Sequence, residues 1–327
     1  MSEPEIRERY VDVNGVRLHV LEAGDPANPT VVLSHGFPEA AYSWRHQIPV
    51  LAAAGYHVIA PDQRGYGRST VPKDVAEYGI ELLAGDLLAL LDEAGKDDAI
   101  FVGHDWGALI VWDLARLHPE RVRAVVGVSV PLVQWPAPPT QLFKMVYQDN
   151  FFYMLYFQPV GPAETELDAD PRRTVEAVFW GASGEGFVMP TGAVPMEGNG
   201  FLTNMPTPPS LPWSWFTEAD LDYFTDHFTR SGFFGPVSYY RNLDANYEVV
   251  KDLGVERISM PSAFIGGTKD PVLVMDSTGL ERMQTNLANY LGAVMIEGAG
   301  HWTQQEKPEE FNEALLGFLT RFDAPAI

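Results

Sequence analysis

An aspartate between two glycines is the first group in this chain that could act as a nucleophile. Residues 103–107 read GHDWG, and they follow the short apolar run Ala99–Val102 and precede a segment of helical spacing. Glycines on both sides of a sharp strand-to-helix turn let the two elements pack closely and expose the central side chain above the sheet. Asp105 is therefore a candidate nucleophile, and the alternative is an aspartate that only caps the following helix.

Asp270 and His301 could supply the other two groups of a hydrolytic triad. Asp270 ends the segment GGTKD after one predicted strand, and His301 follows the segment EGAG after the next predicted strand. The order nucleophile, acid, histidine is the one expected of an α/β-hydrolase triad, and open α/β sheets place their sites at the carboxyl ends of strands. Each residue alone is equally compatible with a simple turn. Together they predict His301 as a general base oriented by Asp270.

A loop earlier in the chain could stabilise developing negative charge. Residues 35–38 (HGFP) follow the apolar run Thr30–Leu33. Such a loop can direct the backbone N–H of Phe37 at an oxyanion, with the N–H of Trp106 as its partner. A plain turn at the end of a strand is the alternative. Residues 62–69 (DQRGYGRS) are interpreted as a structural loop whose arginines brace it through hydrogen bonds.

Strand and helix signals alternate on both sides of a helical segment, and they predict the elements that position these groups. Apolar runs with little polar alternation are separated by segments of helical spacing up to Val130, and this pattern resumes at Ser262. Continuous apolar strands are typical of a parallel sheet covered on both faces. We therefore predict an α/β fold with a mostly parallel central sheet. Residues 1–130 and 248–327 form an α/β-hydrolase core, and residues 131–247 form an inserted helical cap domain.

Individual elements can be predicted from the same periodicities. The predicted strands are Val16–Leu21, Thr30–Leu33, Tyr56–Ala60, Ala99–Val102, Val122–Val130, Ser262–Ile265 and Ala293–Ile296. The predicted helices are Ile80–Leu91, Ala108–Leu117, Gln141–Phe157, Arg172–Phe179, Glu218–Arg230, Asp276–Leu287 and Pro308–Phe322. The sequence does not fix the position of the proline-rich loop over residues 189–212.

The composition excludes several classes of protein. The chain has 327 residues, with 22 Lys+Arg against 44 Asp+Glu, so its formal net charge is −22. An acidic surface of this kind repels nucleic-acid phosphates and anionic lipid. The absence of cysteine excludes disulfides, thiol catalysis and Cys-ligated metal sites. Residues 1–10 contain no apolar targeting segment, and no run is long enough to span a membrane, so the sequence predicts a cytoplasmic protein.

The chain resembles epoxide hydrolases of the α/β-hydrolase fold over essentially its whole length. The motifs that carry the resemblance are HGFPE (35–39), DQRGYGRS (62–69), GHDWGA (103–108), GHW (300–302), FYMLYFQ (152–158) and GPVSYYRN (235–242). The resemblance implies that Tyr153 and Tyr240, both in the cap, donate hydrogen bonds to the epoxide oxygen. Tyr156 and Tyr239 are interpreted as packing residues. The resemblance also implies that no metal and no organic cofactor is required.

A carboxylate nucleophile suits an epoxide better than a serine does. Serine would leave a stable ether, whereas Asp105 leaves an ester that water can hydrolyse. The resemblance implies that Asp105 attacks the epoxide and that water activated by His301 and Asp270 then releases a vicinal diol. The predicted substrate is a small apolar epoxide bound between cap and sheet. The predicted wall residues are Phe37, Trp106, Met154 and Trp302.

Two other functions remain open at this point. A haloalkane dehalogenase uses the same aspartate, and Trp106 could form half of its halide site, but halide leaves without two tyrosine donors. Dehalogenases usually place asparagine after His-Gly, where this chain has Phe37, and fluoroacetate dehalogenases usually place arginine where it has Trp106. A non-catalytic ligand-binding module of the same fold commonly lacks a triad residue, and none is missing here. A homodimer formed through the cap is compatible with the sequence, although no feature requires it.

Overall fold

One eight-stranded sheet forms the centre of the part of the chain that this computed structural model describes, residues 4–189 and 192–322. The strands are β1 Arg7–Val13, β2 Val16–Ala23, β3 Thr30–Ser34, β4 His57–Pro61, β5 Ala99–His104, β6 Val122–Val128, β7 Ser262–Gly267 and β8 Tyr290–Ile296. Their order in the sheet is β1-β2-β4-β3-β5-β6-β7-β8. The pairs β1–β2 and β2–β4 are antiparallel and the other pairs are parallel, which confirms the predicted mostly parallel sheet.

Helices follow most of the strands. In chain order they are α1 Ile48–Ala53, α2 Ile80–Glu93, α3 Trp106–Leu117, α4 Pro139–Tyr147, α5 Tyr153–Tyr156, α6 Pro162–Leu167, α7 Pro171–Ala182, α8 Glu218–Ser231, α9 Phe234–Arg241, α10 Leu243–Val250, α11 Pro271–Met275, α12 Gly279–Asn286, α13 Thr303–Glu306 and α14 Pro308–Phe322. Short 3-10 helices cover Ala41–Trp44, Val75–Tyr78, Pro119–Arg121, Leu202–Asn204 and Val255–Arg257. None of the helices in the described ranges is long and apolar enough to cross a membrane.

The sheet is buried on both faces because its strand residues alternate between two hydrophobic clusters. Val32 and Phe101 face a cluster that includes α2, α3 and much of the cap helices. Val31 and Ile100 face the other cluster, which includes α1 and α14. This double covering explains why β3, β4 and β5 are buried along their whole length and read as continuous apolar runs.

The helices α4 to α10 all lie between β6 and β7, so the chain leaves the sheet and later returns to it. This arrangement confirms the predicted insertion of a helical segment into an α/β core. Residue 247, the predicted end of the cap, lies within α10. We therefore propose the cap as the segment between β6 and β7, with its end moved beyond α10.

Two predicted helices are wrong in their extent. The segment Gln141–Phe157 forms two helices, because Gln148 adopts a φ of 52° and ends α4. The chain then pairs Asn150 with Pro195 before α5 begins. The helix predicted over Asp276–Leu287 begins only at Gly279, and the separate short helix α11 precedes it.

The first strand and three cap helices were not predicted. Arg7, Glu8, Arg9 and Asp12 make β1 largely charged, and most of its side chains are at least partly exposed. Charged residues at the edge of a sheet discourage pairing with another chain, but they also remove the apolar signal of a strand. The helices α6, α9 and α10 are short and depend on packing against other elements, which for α9 and α10 include the core around Val75 and Ile80, and a periodicity does not report such packing.

Candidate active site

Asp105 lies at a strained turn between β5 and α3. Its backbone has φ 52° and ψ −118°, a conformation that side chains other than glycine rarely adopt. A Cβ atom on Gly103 would overlap the carbonyl group of Gly107, and a Cβ atom on Gly107 would overlap that of Ser34. The two glycines therefore let α3 begin against the sheet, and the turn between them holds Asp105.

The structure brings Asp105, His301 and Asp270 together at the carboxyl ends of β5, β8 and β7. His301 Nδ1 lies 3.1 Å from Asp270 Oδ1 and 3.3 Å from Oδ2. On the other side of the ring, Nε2 lies 3.5 Å from Asp105 Oδ2. Asp270 is buried, and its Oδ1 also accepts a hydrogen bond from the Val272 N–H at 2.9 Å. The imidazole is thus held between two carboxylates, as a triad requires.

The two carboxylates control the protonation of His301. Burial disfavours the charged imidazolium, but the charges and hydrogen bonds of Asp270 and Asp105 outweigh burial and raise the pKa of His301 well above its usual value. With Asp105 ionised, the proton therefore stays on His301. Removing the charge of Asp105 would remove one of the contributions that hold this proton.

The predicted oxyanion donors flank Asp105. The Phe37 N–H donates to Asp105 Oδ1 at 2.7 Å. Trp106 is the first residue of α3, where backbone N–H groups have no partner within the helix. Because Phe37 holds Oδ1 and His301 faces Oδ2, the two oxygens of Asp105 have different surroundings.

Tyr153 and Tyr240 meet above this aspartate from two cap helices. Their ring centroids are 5.7 Å apart, and the Tyr240 ring packs edge-on against Trp106 at 5.1 Å and Phe37 at 5.6 Å. Burial raises the pKa of both phenols well above the usual value, and the nearby charge of Asp105 raises it further. Both groups therefore stay protonated and can donate hydrogen bonds near Asp105.

The neighbouring tyrosines have partners elsewhere. The Tyr239 hydroxyl donates to the carbonyl oxygen of Arg64 at 2.8 Å, and this side chain is fully buried. The Tyr156 hydroxyl donates to the carbonyl oxygen of Pro162 at 3.3 Å and also bonds to the carboxylate of Glu166. These contacts agree with the interpretation of both residues as packing residues.

Of the four predicted wall residues, Phe37 and Trp106 pack against Tyr240, whereas Met154 and Trp302 have other neighbours. Met154 is half-buried, and its carbonyl group shares the side-chain amide of Gln158 with the carbonyl group of Tyr240, at 2.7 and 3.0 Å. Gln158 therefore links the helices that carry the two candidate tyrosines. Trp302 is only 1% exposed, and its ring packs edge-on against His301 at 4.8 Å. Trp302 therefore supports the His301 ring, and its role in substrate binding stays a prediction.

Glu39 is a buried carboxylate that the sequence analysis did not assign. Its Oε2 accepts from the Gly36 N–H at 3.0 Å and lies 2.5 Å from His104 Nδ1. His104 Nε2 in turn lies 2.8 Å from the carbonyl oxygen of His301. Burial favours the neutral acid, but the charge and hydrogen bonds of His104 and the Gly36 N–H lower the pKa of Glu39 to about 2. The sequence signal that could have identified Glu39 was its place in the motif HGFPE (35–39).

Glu306 is a second unassigned carboxylate, and it holds the loop that carries His301. Its Oε2 accepts from the N–H groups of Gly300 at 3.0 Å and Gly184 at 2.8 Å, and its Oε1 accepts from the Trp302 N–H at 3.0 Å. Burial raises the pKa of Glu306 to about 7, although these hydrogen bonds oppose the shift. The Glu306 side chain therefore fixes the backbone on both sides of His301 and joins it to Gly184 of the cap.

The arginines of the loop over residues 62–69 act as braces. Arg64 donates from Nε to Asp86 Oδ2 at 2.8 Å and from Nη2 to Asp86 Oδ1 at 2.6 Å, and both side chains are buried. Arg68 donates to Glu8 Oε2 at 2.8 Å on the surface. These bonds agree with the structural interpretation of the loop.

The fold is that of an α/β-hydrolase, and the candidate site has a carboxylate at the turn between β5 and α3. The family described as alpha/beta hydrolase fold matches residues 29–158. Epoxide hydrolase A of Mycobacterium tuberculosis is 50% identical over 315 residues, which cover 96% of this chain and 97% of that protein. The crystal structure of epoxide hydrolase A from Mycobacterium thermoresistibile is 46% identical, with a TM-score of 0.90, and the match covers 97% of this chain and 98% of that chain.

More distant relatives carry the same name. Bifunctional epoxide hydrolase 2 of Rattus norvegicus is 38% identical over the full length of this chain, which spans 58% of that protein. The structure titled epoxide hydrolase from an endophytic Streptomyces is 38% identical with a TM-score of 0.88, covering 96% of this chain and 95% of that chain. The chain belongs to the epoxide hydrolase family of the α/β-hydrolase fold.

Proposed function

We propose that this chain adds water to an apolar epoxide and releases a vicinal diol, through a covalent ester on Asp105. The observation that carries this proposal is the meeting of Tyr153 and Tyr240 above Asp105, with ring centroids 5.7 Å apart. A halide leaves without a proton donor, whereas an epoxide oxygen becomes an alkoxide that needs one. Two protonated phenols beside a carboxylate nucleophile therefore favour epoxide opening over dehalogenation.

In the first step, Asp105 Oδ2 attacks an epoxide carbon from the side opposite the ring oxygen. Oδ2 is the attacking atom, because Oδ1 is held by the Phe37 N–H. The carbon–oxygen bond of the ring breaks, and Tyr153 and Tyr240 donate hydrogen bonds to the oxygen as negative charge develops on it. One of the two phenols then transfers its proton to this oxygen and becomes a phenolate. Release of ring strain and this donation together stabilise the transition state. The product of the step is a hydroxyalkyl ester of Asp105.

In the second step, water hydrolyses this ester. Esterification removes the negative charge of Asp105, so the pKa of His301 falls and the imidazolium can release its proton, which balances the proton that the phenolate regains. The neutral imidazole can then act as a base. His301, oriented by Asp270, then takes a proton from water, and the resulting hydroxide attacks the carbonyl carbon of the ester. The N–H groups of Phe37 and Trp106 stabilise the oxyanion, and the ester bond breaks to release the diol and regenerate the carboxylate.

Phenylalanine at either candidate tyrosine tests this assignment. We expect Tyr153→Phe and Tyr240→Phe each to slow ring opening by roughly 10²-fold, the usual range for loss of one acid catalyst. The measurement is the rate of ester formation in a rapid-mixing experiment with excess enzyme, because steady-state turnover also contains the hydrolytic step.

Matched controls come from the adjacent tyrosines. Tyr156→Phe changes the same helix as Tyr153, and Tyr239→Phe changes the residue next to Tyr240. The Tyr239 hydroxyl bonds to the Arg64 carbonyl oxygen, and the Tyr156 hydroxyl bonds to the Pro162 carbonyl oxygen and to the Glu166 carboxylate. We expect ring opening to persist in both controls, with a lower melting temperature for Tyr239→Phe because a buried carbonyl loses its donor. Unchanged ring opening in both Tyr153→Phe and Tyr240→Phe would remove the cap tyrosines from the mechanism.

The predicted homodimer and the predicted cytoplasmic location stay predictions. Neither is needed for this chemistry, because every group named in the two steps comes from one chain.

A further inference from the structure

The proline-rich segment that the sequence could not place adds an aromatic ring to the site. Within its described residues, 192–212, the segment is joined to the cap by the pairing of Pro195 with Asn150. Phe201 is buried, and its ring centroid lies 5.7 Å from that of Tyr153 and 6.2 Å from that of Phe37. The segment therefore supplies one of the aromatic rings that pack against Tyr153 and Phe37.

Phe201 is held there by one carboxylate. Glu166 accepts from the Phe201 N–H at 2.8 Å through Oε2 and from the Leu202 N–H at 3.0 Å through Oε1. A Cβ atom on Gly200 would overlap this carboxylate, so glycine allows the close approach. The Phe201 N–H thus bonds to a side chain, whereas the N–H groups inside a helix or a sheet bond to regular backbone partners.

The aromatic rings above Asp105 already touch one another. Phe37 lies 5.8 Å from Phe157 and 5.6 Å from Tyr240, and Phe157 lies 5.0 Å from Phe201, all between ring centroids. Interiors are packed closely, so a substrate substituent can enter only where a ring gives way. Phe37 is fixed by its N–H on Asp105, and Tyr240 must stay to donate to the epoxide oxygen. The Phe157 N–H bonds to the Tyr153 carbonyl oxygen at the end of α5, whereas Phe201 lies on the segment between α7 and α8 and its N–H depends on the Glu166 tether.

We infer that Phe201, tethered by Glu166, determines substrate specificity, and that the site takes an apolar epoxide whose substituent is a single aromatic ring. This inference rests on the proposed function. Phe37, Phe157 and Phe201 offer a substituent only aromatic carbon, and aromatic rings pack favourably edge-on against such walls. A second ring on the other epoxide carbon requires Phe201 to move aside, which breaks its packing and strains the tether.

The test compares kcat/KM for racemic styrene oxide, which has one ring, with kcat/KM for trans-stilbene oxide, which has two. In the unchanged protein we expect styrene oxide to be the better substrate. We expect Phe201→Ala to raise the ratio of stilbene oxide to styrene oxide by about 10-fold or more, the range set by a pocket contact of this size. Glu166→Gln should shift the ratio in the same direction, because an amide cannot accept both N–H groups as the carboxylate does.

Met205→Ala is the matched control, since Met205 lies on the same segment but its sulfur packs against Gly181 of α7. We expect this variant to leave the ratio unchanged. Phe201→Leu keeps the test decisive if Phe201→Ala does not fold, because leucine also removes the aromatic wall. An unchanged ratio in folded Phe201 variants that still form diol would overturn the inference alone. Absence of diol from every epoxide in the unchanged protein would instead overturn the proposed function.

Discussion

Asp105→Ala is expected to abolish diol formation, with a loss of turnover of at least about 10⁴-fold. Asp105 Oδ2 lies 3.5 Å from His301 Nε2, and Asp105 Oδ1 accepts a hydrogen bond from the Phe37 N–H. Alanine removes the atom that forms the bond to carbon, so His301 has no ester to hydrolyse. The measurement is steady-state diol formation, with thermal unfolding to show that the variant is folded.

The origin of the new diol oxygen tests the same step without a mutation. In a single turnover with excess enzyme in water enriched in heavy oxygen, the ester route transfers an oxygen of Asp105 to the product. We therefore expect the first diol to carry no label and the peptide that contains Asp105 to gain it. Labelled diol in the first turnover, or more than a few per cent of the activity in Asp105→Ala, would exclude Asp105 as the nucleophile.

His301→Gln is expected to trap the enzyme as its ester. Glutamine keeps roughly the size of the side chain but cannot accept the proton of the attacking water, whereas Asp105, Tyr153 and Tyr240 remain to open the ring. Exposure to styrene oxide should therefore raise the intact mass of the protein by one substrate, while turnover nearly stops. Loss of the general base alone accounts for a decrease of roughly 10²- to 10⁴-fold.

The double variant Asp105→Ala with His301→Gln is the control for this trap. It should gain no mass, because the carboxylate that forms the ester is absent. Peptide mapping of the single variant should place the adduct on Asp105. An unchanged mass in His301→Gln after exposure, or an equal gain in the double variant, would count against the ester.

The parallel core could be predicted because its strands are buried on both faces. Both faces of β3 and β5 are buried, so successive residues of these strands, such as Val32 and Phe101, are apolar. The two strands therefore stand out as continuous apolar runs. The edge strand β1 could not be found in this way, because its charged residues face solvent. The break after α4 depends on the conformation of Gln148 and on pairing with Pro195, and neither is visible in a periodicity.

The grouping of Asp105, Asp270 and His301 and the place of the Phe37 N–H could be predicted from position alone, whereas the cap tyrosines and the supporting carboxylates could not. Asp105, Asp270 and His301 each follow a recognisable strand, and parallel strands bring their carboxyl ends together. Tyr153 and Tyr240 came only from the resemblance, because a tyrosine on a cap helix looks like any packing residue. Glu166 escaped prediction because it binds the N–H groups of Phe201 and Leu202, which lie 35 and 36 residues further along the chain. Glu39 and Glu306 also escaped prediction, although Glu39 lies three residues from Gly36 and Glu306 six residues from Gly300, because a glutamate in a turn does not reveal which N–H groups it will bind. Such contacts exist only after the chain has folded.

The most direct test of the central claim is a parallel product assay on the purified protein. One reaction contains racemic styrene oxide and detects the diol, and the other contains a terminal haloalkane and detects released halide. The two protonated tyrosines beside Asp105 predict diol without halide. Halide without diol would contradict the account, because Tyr153 and Tyr240 would then be packing residues beside a dehalogenase nucleophile.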